Sequence, residues 1–363
     1  MFDLPASVRW LDFQPGHRIL VISDIHGNLE YFRGVLELAA FSPEDELIID
    51  GDFLEKGPDC LGTLHFIMEL SKRGNVHPVR GNCDGWHSVF EHDEDGNGHL
   101  LQYLRWKGCG FLWELFRNLG VDIMNIPRLS PYVPLLHAYD REFDFIRAMP
   151  DAIDSENFTF VHAGRSPDKP LEAHSQDELN KIDRFMARGD HFRKWTVVGH
   201  YPVVLYGEDR VCANPIINWE QKIISIDGGC ILKDDGQLNA LIIPHKDSED
   251  FSFVAYDPFP ERRVLKDQVG SSRSYYIRWG DSQVQVLERG KEFSRCRHVR
   301  TGYEMDILTK YLFTDEEITG CNDCTDYVLP LKAGDTVRVV ETCSRGYFVK
   351  HNGVSGWYYG GLE

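Results

Sequence analysis

Asp24, His26, Asp52, Asn82, His162 and His200 are oxygen and nitrogen donors scattered over the first two thirds of the chain. Together they fit a centre for two metal ions. Asp24 and His26 are two residues apart, so in an extended segment they face the same side. Aspartate offers a hard anionic oxygen and histidine a borderline nitrogen, a mixture that suits manganese, iron or zinc better than calcium. Asp52 supplies a carboxylate able to bridge two cations about 3.5 to 4 Å apart. Asn82 adds a neutral oxygen that completes a metal's shell without adding charge, and the two later histidines add nitrogens. Each donor alone has an ordinary reading, as a surface turn or a satisfied core histidine. Their recurrence in matching contexts points to a site.

That context is a run of β-branched and aliphatic residues giving way to glycine. It occurs at residues 19–22 before Asp24, 47–49 before Gly51 and Asp52, 158–161 before His162, and 196–198 before Gly199 and His200. Ligands gather in this way at the carboxyl ends of sheet strands. From residue 18 to 244 such runs alternate with helical stretches such as 29–40 and 61–73, which predicts an α/β domain over residues 1–244. Within it, about residues 85–157 read as a helical, aromatic-rich insertion over one edge of the site. A polar, acidic stretch then opens a linker at 245–270, and residues 271–363 are β-rich. In that tail Gly280-Asp-Ser-Gln-Val-Gln-Val-Leu-Glu288 is echoed by Gly334-Asp-Thr-Val-Arg-Val-Val-Glu341. The echo predicts tandem small modules at about 271–313 and 325–363.

The chain has 363 residues and a formal charge of −18, enough length for two or three domains. A global field of that sign disfavours a nucleic acid duplex or an anionic membrane as partner. The opening residues carry no basic region followed by an apolar core, and no stretch approaches a membrane span, so a cytoplasmic protein is expected. The nine cysteines are dispersed and odd in number, which predicts reduced thiols. Cys321 and Cys324 could form half a zinc site or a redox pair, but a second pair is missing, and ordinary loop thiols are the expectation.

The motifs form a series: Asp24-x-His26-Gly27, Gly51-Asp52-x-x-Glu55-Lys56-Gly57-Pro58, Gly81-Asn82-Cys83-Asp84, His162-Ala163-Gly164, Gly199-His200-x-Pro202 and Ile226-Asp227-Gly228-Gly229. Over about residues 18–240 this series resembles the calcineurin-like metallophosphoesterase superfamily. Within it the likeness is to the phosphoprotein phosphatase branch, which includes the Ser/Thr phosphatases and the bacterial diadenosine tetraphosphatases. The resemblance implies a calcineurin-like sandwich of two sheets flanked by helices, and two divalent or trivalent transition-metal ions, Mn, Fe or Zn. Asp24, His26 and Asp52 would hold one, and Asp52, Asn82, His162 and His200 the other. It further implies in-line attack on phosphorus by a hydroxide shared between the metals, and a structural role for Asp227.

Two departures from the family pattern bear on chemistry. Where the phosphatases carry an acid histidine assisted by an aspartate, this chain has Cys83 and Glu55. A thiol is a poor acid for an alkoxide leaving group, so substrates with better leaving groups are expected. Gly-Asn-Cys-Asp also resembles the motif of small bacterial phosphodiesterases of the superfamily. Lys56 stands where an arginine usually grips phosphate, keeping the charge without the bidentate fork. Arg165 could compensate, or be a loop arginine.

The tail is similar to bacterial Src-homology-three-like barrels, most clearly over residues 327–362. Tyr327, Trp357 and Tyr358 could form a peptide groove for a protein partner, but filling a small barrel core is the favoured reading. The expected function is dimetal hydrolysis of a phosphate ester on a phosphorylated protein or small phosphorylated metabolite, as in a Ser/Thr-type phosphatase. A phosphodiesterase or dinucleoside polyphosphate hydrolase stays open, as does a phosphate-recognising binding protein.

Overall fold

The computed structural model describes residues 4–85, 98–315 and 318–363. Its first unit comprises Met1–Pro202, Pro215–Leu232 and Gly236–Asp257. It begins with β1 (Val8–Trp10), β2 (Ile19–Ile22), α1 (Leu29–Leu38), β3 (Glu46–Asp50), α2 (Cys60–Ser71) and β4 (Val76–Val79). Helices α3 (His99–Lys107), α4 (Phe111–Asn118) and α5 (Asp140–Arg147) precede β5 (Ala152–Asp154), β6 (Phe158–Val161), α6 (Gln176–Asn180) and β7 (Trp195–Val198). After β8 (Val211–Cys212), which belongs to the second unit, come β9 (Ile216–Asn218), β10 (Ile223–Ser225), β11 (Leu238–Ile243) and β12 (Ser252–Tyr256).

These strands make two sheets, ordered β1-β5-β6-β7-β10-β9 and β12-β11-β2-β3-β4. Alternation along β2 sets the layers. Ile19 and Val21 cluster with Phe158, Phe160, Trp195 and Val197 of the other sheet, whereas Leu20 and Ile22 meet Phe32, Val35, Leu64 and Ile67 of α1 and α2. All four β2 residues are fully buried, which is why the strand reads as an unbroken apolar run. Each such side chain contributes about 1.5–3 kcal/mol on burial. The result is the expected α/β sandwich flanked by helices. Because β2, β3 and β4 run parallel, as do β6, β7 and β10, their carboxyl ends fall together in each sheet.

The insertion appears as α3, α4 and α5; the part of it at residues 86–97 lies outside the described residues. Helix α2 begins at Asp59, whose carboxylate accepts the Gly62 N–H at 3.0 Å. Glu114 of α4 adds to that start, accepting the Cys60 and Leu61 N–H groups at 2.7 and 2.8 Å. The insertion is thereby tied to the helix that follows the Asp52 loop.

The expected linker at 245–270 is not one. Within it, β12 pairs antiparallel with β11, so the acidic stretch joins two strands of one sheet. Ser252 and Phe253 are exposed on this edge strand, which left no apolar periodicity to read. The first unit runs on to Asp257 rather than stopping at 244, and Val203–Asn214 and Lys233–Asp235 join the second unit. No helix among the described residues is long and apolar enough to cross a membrane.

The second unit continues with β13 (Glu261–Arg263), β14 (Tyr276–Ile277), β15 (Val284–Glu288), β16 (Phe293–His298), β17 (Glu304–Leu308), β18 (Leu312–Asp315), β19 (Ile318–Cys321) and β20 (Cys324–Thr325). It ends with β21 (Thr336–Cys343), β22 (Gly346–His351) and β23 (Val354–Tyr358). The sequence echo corresponds to two antiparallel meanders, β15-β16-β17 and β21-β22-β23. Their registers shift at equivalent places, between Val286 and Glu288 and between Val339 and Glu341. Tyr327, Trp357 and Tyr358 are buried. The Cys321 and Cys324 sulfurs lie 3.8 Å apart as free thiols.

Candidate metal centre

The loops after β2 and β3 are laced by backbone. Asp24 N–H donates to Gly51 O at 3.0 Å, His26 N–H to Asp52 O at 2.9 Å, and Gly27 N–H to Phe53 O at 2.8 Å. Asp24, His26, Asp52, Glu55, Lys56 and His200 all hold left-handed φ values, between 49° and 70°. Such strain in non-glycine residues gathers where side chains must be aimed. Four of these, Asp24, His26, Asp52 and His200, are predicted ligands, and Asn82 and His162 join them without such strain.

Asp52 lies at the middle. Its Oδ1 is 3.3 Å from His162 Nε2, and its Oδ2 is 3.9 Å from His26 Nε2. The other nitrogens of those rings are already used: His26 Nδ1 lies 3.2 Å from Leu54 O, and His162 Nδ1 lies 2.9 Å from Asp50 O. Those carbonyls hold Nδ1 of each ring and turn Nε2 toward the carboxylate. His26 Nε2 is also 3.8 Å from Asp24 Oδ1, a buried oxygen without a hydrogen-bond partner among the described residues. Asp24 Oδ2 accepts the His200 N–H at 2.9 Å.

On the other side, the Asn82 side-chain oxygen lies 2.8 Å from His200 Nδ1 and 3.3 Å from His162 Nε2. Turning that amide over would let its NH₂ donate to both nitrogens. In either orientation the Asn82 amide and the two ring nitrogens converge on one point; with its oxygen turned inward and the rings neutral, they would suit a cation.

The electrostatics agree. Burial lowers His162, yet Asp52 and Asp24 overcome it and push the ring up to about 10. Burial holds His26 down at about 3, with Lys56 adding to the effect, and burial and His162 hold His200 at about 4. Burial raises Asp24 well above the usual carboxylate range, and Asp227 and Asp52 push it further. The cluster is thus short of positive charge. Two donor groups, His26 with Asp52 and Cys83, and Asp52 with His162 and His200, each keep their ligand atoms within 4.8 Å of one another. They share Asp52, so the residues present fit a pair of ions.

The four residues expected to act on substrate are placed differently from one another. Lys56 points into the cluster, with Nζ 3.4 Å from His26 Nε2. Cys83 is buried beside it. Glu55 is turned away, toward α4, its carboxylate accepting the Phe111 N–H at 3.0 Å. Arg165 does not join the ligands either. Its guanidinium lies 4.5 Å over the Phe192 ring, lining a cavity of about 830 Å³ with Phe158 and Trp195. Those two residues open β6 and β7, at the end opposite to His162 and His200. A ring face close to its own loop outcompetes a long reach to the site.

Two functional carboxylates were not read from sequence. Asp84 accepts the N–H groups of Asp52 and Gly81, both at 2.8 Å, and of Leu54 at 3.0 Å; its place in the Gly81–Asp84 motif was the available signal. Asp183 Oδ1 lies 3.3 Å from His200 Nε2, leaving Nδ1 for the cluster. No local pattern marked it.

The profile for calcineurin-like phosphoesterases matches residues 17–227. The chain belongs to this family. Among curated phosphoesterase relatives, the symmetrical bis(5'-nucleosyl)-tetraphosphatase of Psychromonas ingrahamii is 27% identical over 193 residues, covering 50% of this chain and 56% of that protein. The chain therefore spans little more than half the length of that relative. The asymmetrical bis(5'-nucleosyl)-tetraphosphatase PrpE of Oceanobacillus iheyensis is 24% identical over 259 residues, covering 67% of this chain and 94% of that protein. A solved protein serine/threonine phosphatase from Saccharomyces cerevisiae aligns with a TM-score of 0.43 and 11% identity, over 71% of this chain and 85% of its own.

Proposed function

We propose that this phosphoesterase hydrolyses phosphoanhydrides or phosphate esters with good leaving groups, and that a dinucleoside polyphosphate is its substrate class. Asp24, His26 and Asp52 would hold one metal ion, and Asp52, Asn82, His162 and His200 the second. The observation that carries the reading is the Asp52 carboxylate, whose two oxygens face different histidines. Bound there, the pair supplies Lewis-acid polarisation of phosphoryl oxygens and a lowered pKa for water.

The protein's own groups decide the substrate. Lys56 is half-buried and keeps its charge: burial lowers it, and Cys83 and Asp52 more than reverse that. Its ammonium is placed to hold a phosphate oxygen. Neither candidate acid is suited to protonate a leaving group. Burial, with Asp52 adding, pushes the Cys83 thiol well above its ordinary value, and Glu55 is spent on α4. A nucleotide phosphate departs without a proton, whereas a serine alkoxide does not. The names of the two tetraphosphatase relatives support the same class.

A second reading, phosphomonoester hydrolysis of the Ser/Thr phosphatase kind, is favoured by the complete set of six ligands. In either case nine free thiols support a cytoplasmic setting, manganese is among the ions the donors accept, and the second unit, read as SH3-like, is a candidate for protein contact. Hydrolysis of diadenosine tetraphosphate, p-nitrophenyl phosphate and bis-p-nitrophenyl phosphate with manganese, against an Asp52→Asn blank, tests the proposal. Faster dinucleotide cleavage supports it, faster monoester cleavage selects the second reading, and equal rates in wild type and Asp52→Asn overturn both.

A further inference from the structure

We infer that Cys83 is a ligand of the metal ion held by Asp24, His26 and Asp52, so that this half of the centre is a mixed sulfur, nitrogen and oxygen site. The inference rests on the two-metal reading and deepens it. Cys83 follows the ligand Asn82, and its N–H donates to Asp52 Oδ1 at 2.7 Å. This bond fixes the start of the side chain against the bridging carboxylate. From there Sγ forms, with His26 Nε2 or Nδ1 and an Asp52 oxygen, a triad whose members all lie within 4.8 Å of one another. Since His26 Nδ1 faces Leu54 O, Nε2 is the nitrogen that can coordinate.

All three residues are buried, at 0% exposed for His26, 2% for Asp52 and 5% for Cys83. Cys83 Sγ accepts the Asn82 Nδ2–H at 3.3 Å and lies beside Asp52 and Lys56, so the sulfur is held among the ligands themselves, where a cation shared with His26 and Asp52 is within reach. Asp24 Oδ1, 1% exposed as a residue and without a hydrogen-bond partner among the described residues, is a second and independent donor at the same place. Lys56, whose Nζ lies 3.4 Å from His26 Nε2, opposes a dication there, and an anionic sulfur offsets part of that repulsion. Coordination replaces the S–H bond by an S–metal bond and releases the proton to solvent. A thiolate shifts preference toward zinc, iron(II) and cobalt(II) and away from magnesium. It also accounts for the missing acid: a coordinated sulfur has no proton to give.

Cobalt(II) loaded anaerobically into the full chain tests this. The expected result is two cobalt ions per chain and a near-ultraviolet sulfur-to-cobalt charge-transfer band. Cys83→Ser should lose that band while keeping the visible d–d bands, and Cys321→Ser should keep both. Should Cys83→Ser fail to fold, cadmium-113 NMR of the wild type decides alone. One resonance in the sulfur-ligated range and one in the oxygen and nitrogen range supports the inference. Two bound ions with no sulfur signature overturn it and leave the two-metal reading standing. Failure to bind cobalt, or binding unaffected by Asp52→Asn, overturns both.

Discussion

Glu55 sets its carboxylate at the first turn of α4, accepting the Phe111 N–H at 3.0 Å, and any side chain on Gly110 would collide with it. The helix N-terminus favours this carboxylate electrostatically, yet burial dominates and pushes it up to about 7, against the N–H groups of Leu112 and Phe111. Between its ordinary 4.5 and about 7 the folded protein keeps a proton that the unfolded chain has released. The contribution of this carboxyl to stability is therefore fully present below pH 4.5 and is lost as pH rises through about 7. The loss amounts to about 3 kcal/mol. Urea unfolding at pH 5 and pH 8 with chelator present should find a larger fall for wild type than for Glu55→Gln, in which the group cannot ionise. Equal falls would remove Glu55 as the source.

Gly51 precedes the bridging aspartate with φ at 81°. A Cβ there would lie 2.5 Å from His162 Nδ1 and 2.8 Å from Gly81 Cα, contacts that no rigid pair of loops accommodates. Gly51→Ala should shift the His162 ring off Asp50 O and weaken metal binding by about 10- to 100-fold, measured by titration calorimetry with manganese. Unchanged affinity would mean that the strand ends yield more easily than their burial indicates.

Lys56, 3.4 Å from the ligand His26, is a cation placed to grip substrate. A charge-assisted contact to phosphate contributes about 1.5–3 kcal/mol, so Lys56→Met should lower kcat/KM by about 10- to 100-fold. Lys56→Arg should recover part of it, since guanidinium adds a second donor in a different geometry. Steady-state kinetics on each variant checks this, and a Lys56→Met enzyme with wild-type kcat/KM would assign Lys56 to structure alone.

The strands that carry the ligands were legible because a run such as Ile19–Ile22, buried on both faces, has no polar interruption until Ser23. Asp24, Asp52, His162 and His200 were legible for the same reason, each lying within three residues of the end of such a run. What sequence did not convey was direction. Arg165 and Glu55 sit beside ligands in the chain but turn to Phe192 and Phe111, partners that only tertiary packing supplies. Asp183 was invisible because it meets His200 from a different loop. The boundary at 244 failed on an edge strand, where Ser252 and Phe253 of β12 are exposed, the rest are half-buried, and the pattern of a core strand is lost.

Asp84 yields the sharpest test of how the centre is held. Its two carboxylate oxygens accept three N–H groups, from Asp52, Gly81 and Leu54, and it is 2% exposed. Those donors belong to the loop that carries the bridging aspartate and the loop that carries Asn82. Asp84→Ala strands all three in an apolar interior, at about 1–3 kcal/mol each before relaxation. The expected outcome is a loss of at least about 3 kcal/mol in urea unfolding together with loss of the second metal ion, read by elemental analysis. Asp84→Asn keeps one full acceptor, so it should lie between the two in both measurements. A stable Asp84→Ala protein that still binds two ions would mean that the lacing of the Asp24 and Asp52 loops holds the ligands without it.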